Sequence, residues 1–151
     1  MLHRMDIVKL LNGYSIAAQI QISGIALAGL RCILRAAFGR TEIAEILLQY
    51  KAVVNAQDDA GRIPLHLVSK WEHVDFTRLL LEHGADVNSN DVARCMPLHL
   101  AYDRKLDIAR LLVEHGANLD LEDFKGRTAS QVASERGHHD FAKWLSGHGS
   151  K

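Results

Sequence analysis

Cysteine is scarce in this chain: Cys32 and Cys95 are the only two thiols in 151 residues. That is too few to staple a secreted disulfide scaffold, and neither sits in a C-x-x-C pair, so an intracellular setting, cytoplasmic or nuclear, is expected. Both read as core or turn thiols. Charge of one sign is not in excess either. Lys and Arg together number 18, as do Asp and Glu, for a formal net charge of zero. A nucleic acid or an anionic membrane is bound through a surplus of Lys and Arg facing phosphate, so neither is expected as a partner. Long apolar runs are missing as well. The least polar stretch, 16–34, is interrupted by Gln19 and Gln21, carries Arg31 near its end and holds Gly24 and Gly29. A membrane span needs ~20 mostly apolar residues, so this stretch reads as soluble core or a degenerate repeat. The opening Met1-Leu-His-Arg-Met-Asp does not resemble a secretory signal.

Motifs that carry chemistry are also absent. The sequence holds no G-x-x-x-x-G-K-[ST] phosphate loop, no G-x-S-x-G elbow and no H-E-x-x-H pair. Its densest histidine cluster is His138, His139 and His148. Adjacent histidines diverge on a helix and the third falls in a Gly-rich tail, so no metal site is expected there. Asp58, Asp59 and Asp91 fall in turns, where Asp bonds its own backbone. No enzymatic activity, cofactor, metal or small-molecule substrate is therefore expected.

What is present is self-similarity. Both prolines sit in the same tetrapeptide, Pro64-Leu-His-Leu and Pro97-Leu-His-Leu, at an offset of 33. Leu79-Leu-Leu-Glu-His-Gly-Ala-Asp-Val-Asn returns as Leu111-Leu-Val-Glu-His-Gly-Ala-Asn-Leu-Asp, at an offset of 32. Upstream, Ile46-Leu-Leu-Gln-Tyr-Lys-Ala-Val-Val-Asn matches the same segment at 33. Asp123-Phe-Lys-Gly-Arg-Thr-Ala repeats the pattern of Asp58-Asp-Ala-Gly-Arg-Ile-Pro. These matches divide the chain into copies at roughly 25–57, 58–90, 91–122 and 123–151, with 1–24 a degenerate partial repeat. In the second and fourth copies Asp-x-x-Gly-Arg is a turn signal, and in the second and third Pro opens a helix where no backbone donor is needed. Val74, Phe76, Leu79, Leu80 and Leu81 then space a second helix, which Gly84 ends. Neither helix can bury its face alone, so neighbouring copies must stack.

These residues resemble the ankyrin-repeat family over about 34–145. The resemblance implies one all-α domain, a solenoid of helix-turn-helix units joined by β-hairpin-like turns. It also implies that His66 and His99 bond the neighbouring loop and that Asn55 and Asn88 bridge the turn backbone. His83 and His115, in the last turn of a helix, are placed to cap carbonyls.

The departures carry information too. Ile63 and Met96 stand where the family has a capping Thr, which suggests that threonine at either place would stabilise the fold. Arg94 replaces a turn glycine, Lys51 replaces a helix-ending one, and the third copy is a residue short between Ala101 and Leu106. A distorted centre is expected. At the N-terminus, Asp6-Ile-Val-Lys-Leu-Leu looks like a second helix without its first, either a divergent cap or the edge of a longer array. The polar residues His138, His139, Asp140 and Lys143 suit a C-terminal cap.

The resemblance further implies a protein partner, held in the concave groove made by the turn tips and the inner face of the first helices. In the second copy those positions are Asp59, Ala60, Arg62, Lys70 and Trp71. The third supplies Val92, Arg94, Tyr102, Asp103 and Arg104; the fourth supplies Phe124, Lys125, Arg127, Glu135 and Arg136. Aromatics make up only 6% of the chain, yet three of them lie here among five arginines, the composition of interface hot spots. The arginines favour a partner with acidic side chains or a helix C-terminus. Other readings are a piece of a larger ankyrin scaffold and a small ankyrin-type inhibitor of a protein kinase.

Overall fold

The computed structural model describes residues 44–45, 48–49, 53–70, 73–102 and 106–148. Six bounded helices follow one another: α1 (Pro64–Ser69), α2 (Val74–Glu82), α3 (Pro97–Leu100), α4 (Leu106–Glu114), α5 (Ala129–Glu135) and α6 (His139–His148). No strand occurs among the described residues, and the architecture is the expected all-α solenoid. Odd-numbered helices are the first of each pair and even-numbered helices the second. None of the described helices is long and apolar enough to cross a membrane; the stretch 16–34 lies outside the described residues, as do Lys51 and Cys32.

Proline explains where α1 and α3 begin. Its fixed φ suits the first helical position, and Pro64 and Pro97 occupy it. Gly84 and Gly116, at φ 83° and 88°, end α2 and α4. In that last turn His83 Nδ1 donates to Leu79 O at 2.9 Å and His115 Nδ1 to Leu111 O at 2.7 Å. Both cap a carbonyl, as expected.

The helices pack as two sheaves. The first helix of each copy lies on the next, α1 on α3 and α3 on α5, while α2 packs on α4 behind them. Leu65, Leu98, Ala101, Ile108 and Leu112 bridge the copies and are almost completely buried. A leucine taken fully out of water contributes ~1.5–3 kcal/mol, so stacking, not any single pair, holds the array together. The end of the stack is different. Ser130 occupies the position of Leu65 and Leu98, and its hydroxyl hydrogen-bonds Ala142 O (3.0 Å) and Ser146 Oγ (2.9 Å). An open, polar depression of about 300 Å³ forms there, bordered by Ser130, Gln131, Ser146 and Asp120.

The turns repeat atom for atom. Asp58, Asp91 and Asp123 each accept two backbone N–H groups on Oδ1, from the residues two and four further on. Successive tips are joined by Val92 N–H to Ala60 O and Phe124 N–H to Ala93 O, both 3.0 Å. Asn55 Nδ2 donates to Gly84 O while its Oδ1 accepts from Asp86 N; Asn88 does the same with Gly116 and Asn118.

The third copy is the irregular one. Helix α3 is a single turn of four residues, against six in α1 and seven in α5. Arg94 takes φ +54° where Gly61 has +72° and Gly126 +70°, and it is the one non-glycine with positive φ among the described residues.

Candidate partner-binding face

The histidines that follow each proline hold the face in place. Ile63 N–H donates to His66 Nδ1 at 3.2 Å, so the ring proton is on Nε2, which donates to Cys95 O at 3.0 Å. His99 repeats the arrangement, accepting from Met96 N (3.4 Å) and donating to Arg127 O (3.0 Å). Each imidazole thus caps its own helix with one nitrogen and ties down the next turn with the other. Burial, the largest effect, pushes both imidazoles below their ordinary value. They are structural groups.

Isoleucine and methionine cannot return the cap. Ile63 offers no acceptor, and it is 1% exposed within the core. Burial of this side chain changes the expected benefit of threonine there. The new cap is offset by the smaller apolar surface that threonine buries, so substitution is no longer expected to stabilise. Met96, also buried, follows the same reasoning. Thr128 keeps the full reciprocal pair: Gln131 N–H donates to Thr128 Oγ1 (3.4 Å) and Thr128 N–H to Gln131 Oε1 (2.9 Å).

Around this scaffold the expected face separates into three groups. Arg62 and Arg127 belong to the turns: Nε of each donates to Oδ2 of Asp58 and Asp123 respectively, both at 2.9 Å. Arg127 also donates through Nη1 to Glu135 at 2.6 Å. Burial by itself raises the Asp123 carboxyl, but hydrogen bonds from Arg127 and Lys125 outweigh it and hold it at about 2. Cys95 replaces the arginine in the third turn; burial, then the Asp91 and Asp123 carboxylates, push its thiol up, away from the reactive thiolate.

The second group lies at the C-terminal ends of the first helices. Tyr102 sits half-buried, with the Arg136 guanidinium 4.1 Å from its ring centroid and the His138 ring 5.4 Å away. Lys70, exposed, closes α1 at the matching end of its copy. The sequence pattern places His138 on the polar outer face and does not reveal this ring pair. Its only signal is position, directly after the Gly137 turn. The third group stands at the tips: Arg94, Phe124 and Lys125 are exposed, with Lys125 Nζ 5.5 Å from the Phe124 ring centroid. Trp71, Asp103 and Arg104 lie outside the described residues. No cluster of three or more His, Cys, Asp or Glu able to hold a metal occurs among the described residues.

No curated protein matches this chain. The family model described as ankyrin repeats, in three copies, matches residues 3–91 and again 89–151. That span includes residues 3–33, where the sequence departs furthest from the repeat pattern. The bridging histidines, the paired asparagines and the stacked turns describe the same repeating unit in atomic terms, and the chain belongs to the ankyrin-repeat family.

Proposed function

We propose that this chain is a non-catalytic module that holds a partner protein on the face formed by its turn tips and first helices. Ankyrin repeats generally mediate protein–protein interaction, and one arrangement carries the reading to this chain. Tyr102 meets Arg136 over its ring and the tilted His138 ring across a repeat boundary, on a framework in which every buried side-chain polar atom of the described residues has a partner. An aromatic ring fixed in advance loses little freedom on binding, and Tyr and Arg are the side chains from which hot spots are built.

The test is an affinity pull-down from native-cell lysate with wild type, Tyr102→Ala/Arg136→Ala and Trp71→Ala/Arg104→Ala, all checked for equal helicity. A protein kept by wild type and lost by either double variant supports the face. Retention of the same proteins by all three rejects it.

The kinase-inhibitor reading draws on one feature, the reduction of α3 to a single turn, since small ankyrin inhibitors of that type carry a distorted internal repeat. Kinase assays in which excess purified chain changes no rate would remove it.

A further inference from the structure

The two most exposed large apolar side chains among the described residues stand on neighbouring turns, with Val53 and Leu121 exposed to a lesser degree elsewhere. Val92 is 76% exposed and Phe124 61%, at equivalent positions of successive tips. The backbone bonds between tips hold both in register. Basic side chains stand beside them, because Arg94 and Lys125 are exposed, while Asp91 and Asp123 of the same turns face inward. Asp91 and Asp123 direct their oxygens to backbone N–H groups, and Asp123 is paired with Arg127 as well. Arg94 also holds a left-handed conformation that its sister turns give to glycine. For a side chain with a Cβ this is strained, and strain of that kind concentrates where function requires the side chain.

We propose that these two tips dock a partner-protein segment in which acidic side chains stand next to aliphatic or aromatic ones. The inference rests on reading the chain as a protein-binding module. A carboxylate that pairs with Lys125 is delivered beside the Phe124 ring, 5.5 Å from the ammonium. The apolar neighbour of that carboxylate then covers Phe124 and Val92. Arg94 takes a second carboxylate, with a planar fork that lysine does not have. Asp59 and Glu122, exposed near the tips, repel a continuous polyanion, so an RNA strand or an anionic bilayer fits less well than a segment of mixed side chains.

A random peptide library displayed on phage and selected against the full chain supplies the probe. The expected consensus places Asp or Glu next to aliphatic or aromatic residues. A synthetic consensus peptide, followed by fluorescence anisotropy, should lose roughly 10-fold or more in affinity with Phe124→Ser or Lys125→Glu, and should weaken as salt rises. Arg94→Gly should weaken binding while raising the melting temperature, a combination that a folding defect cannot produce. No consensus, a consensus without acids, or unchanged affinity in the tip variants overturns the proposal. If affinity falls only with Tyr102→Ala and Arg136→Ala, docking at the tips is wrong and the protein-binding reading stands. If neither set of variants matters, both fall. Tighter binding of a single-stranded oligonucleotide or a phosphatidylserine vesicle than of the consensus peptide also overturns it.

Discussion

Asp123 and Arg94 set opposite local balances. The Asp123 carboxylate accepts from Lys125 N, Arg127 N and the Arg127 guanidinium, and it is 2% exposed. Alanine there strands two backbone donors and a guanidinium, and should cost about 3 kcal/mol in chemical denaturation. Asparagine keeps the Oδ1 acceptor and should recover part of that loss. With its pKa held at about 2 instead of 3.8, the carboxylate contributes stability that is complete above 3.8 and disappears as pH falls toward 2. Arg94 runs the other way. Its left-handed backbone costs roughly 1–2 kcal/mol, while glycine brings back ~0.5–1 kcal/mol of unfolded-state entropy. Arg94→Gly should therefore stabilise the chain by up to about 1.5 kcal/mol, measured as a rise in the urea midpoint. The reverse exchange at Gly61 should destabilise: a Cβ there would meet Val92 N at 3.3 Å, at φ +72°.

Helix starts decide stability one level up. Thr128→Ala removes a cap and little buried apolar surface, and should cost ~0.5–2 kcal/mol. Ile63→Thr adds a cap of the same size but takes apolar atoms from a position 1% exposed, where even Ile→Val costs ~0.5–1.5 kcal/mol. Its melting temperature should not rise. A clear increase would mean that Ile63 packs less well than its burial implies. The single-turn α3 follows from the residue missing between Ala101 and Leu106: Tyr102 stands where α1 has Ser69, and its ring reaches across to Arg136 and His138 instead of extending the helix.

At the scale of the stack, His66 couples the second repeat to the third and His99 the third to the fourth, and they make stability depend on pH. Both are neutral in the fold, with pKa values pushed below 6.5, mainly by burial. The unfolded chain takes up protons first as pH falls. Their contribution is therefore complete above about 6.5 and is lost progressively below it, down to the depressed folded values. Thermal melts should be flat above neutrality and drop through mildly acidic pH. His99→Gln should lower the melting temperature at pH 7 and make that drop shallower, because glutamine keeps the helix cap, as Gln131 does, but carries no titrating group. An unchanged slope would assign the acid sensitivity elsewhere.

Helix type, turn positions and the bridging roles of His66, His99, Asn55 and Asn88 were legible in the sequence, because each rests on local chemistry that recurs every 32 or 33 residues. Glycine ends a helix, proline starts one, and aspartate closes a turn wherever they stand. The candidate face was legible only as a set of positions. Tertiary packing decided that Arg62 and Arg127 are tied to Asp58 and Asp123, that Tyr102 is braced by Arg136 and His138, and that Phe124 and Val92 stay in water. Periodicity specifies where a side chain starts along the backbone. Which neighbour it meets depends on how adjacent repeats stack, and that stacking is what buries Ile63 at a helix cap.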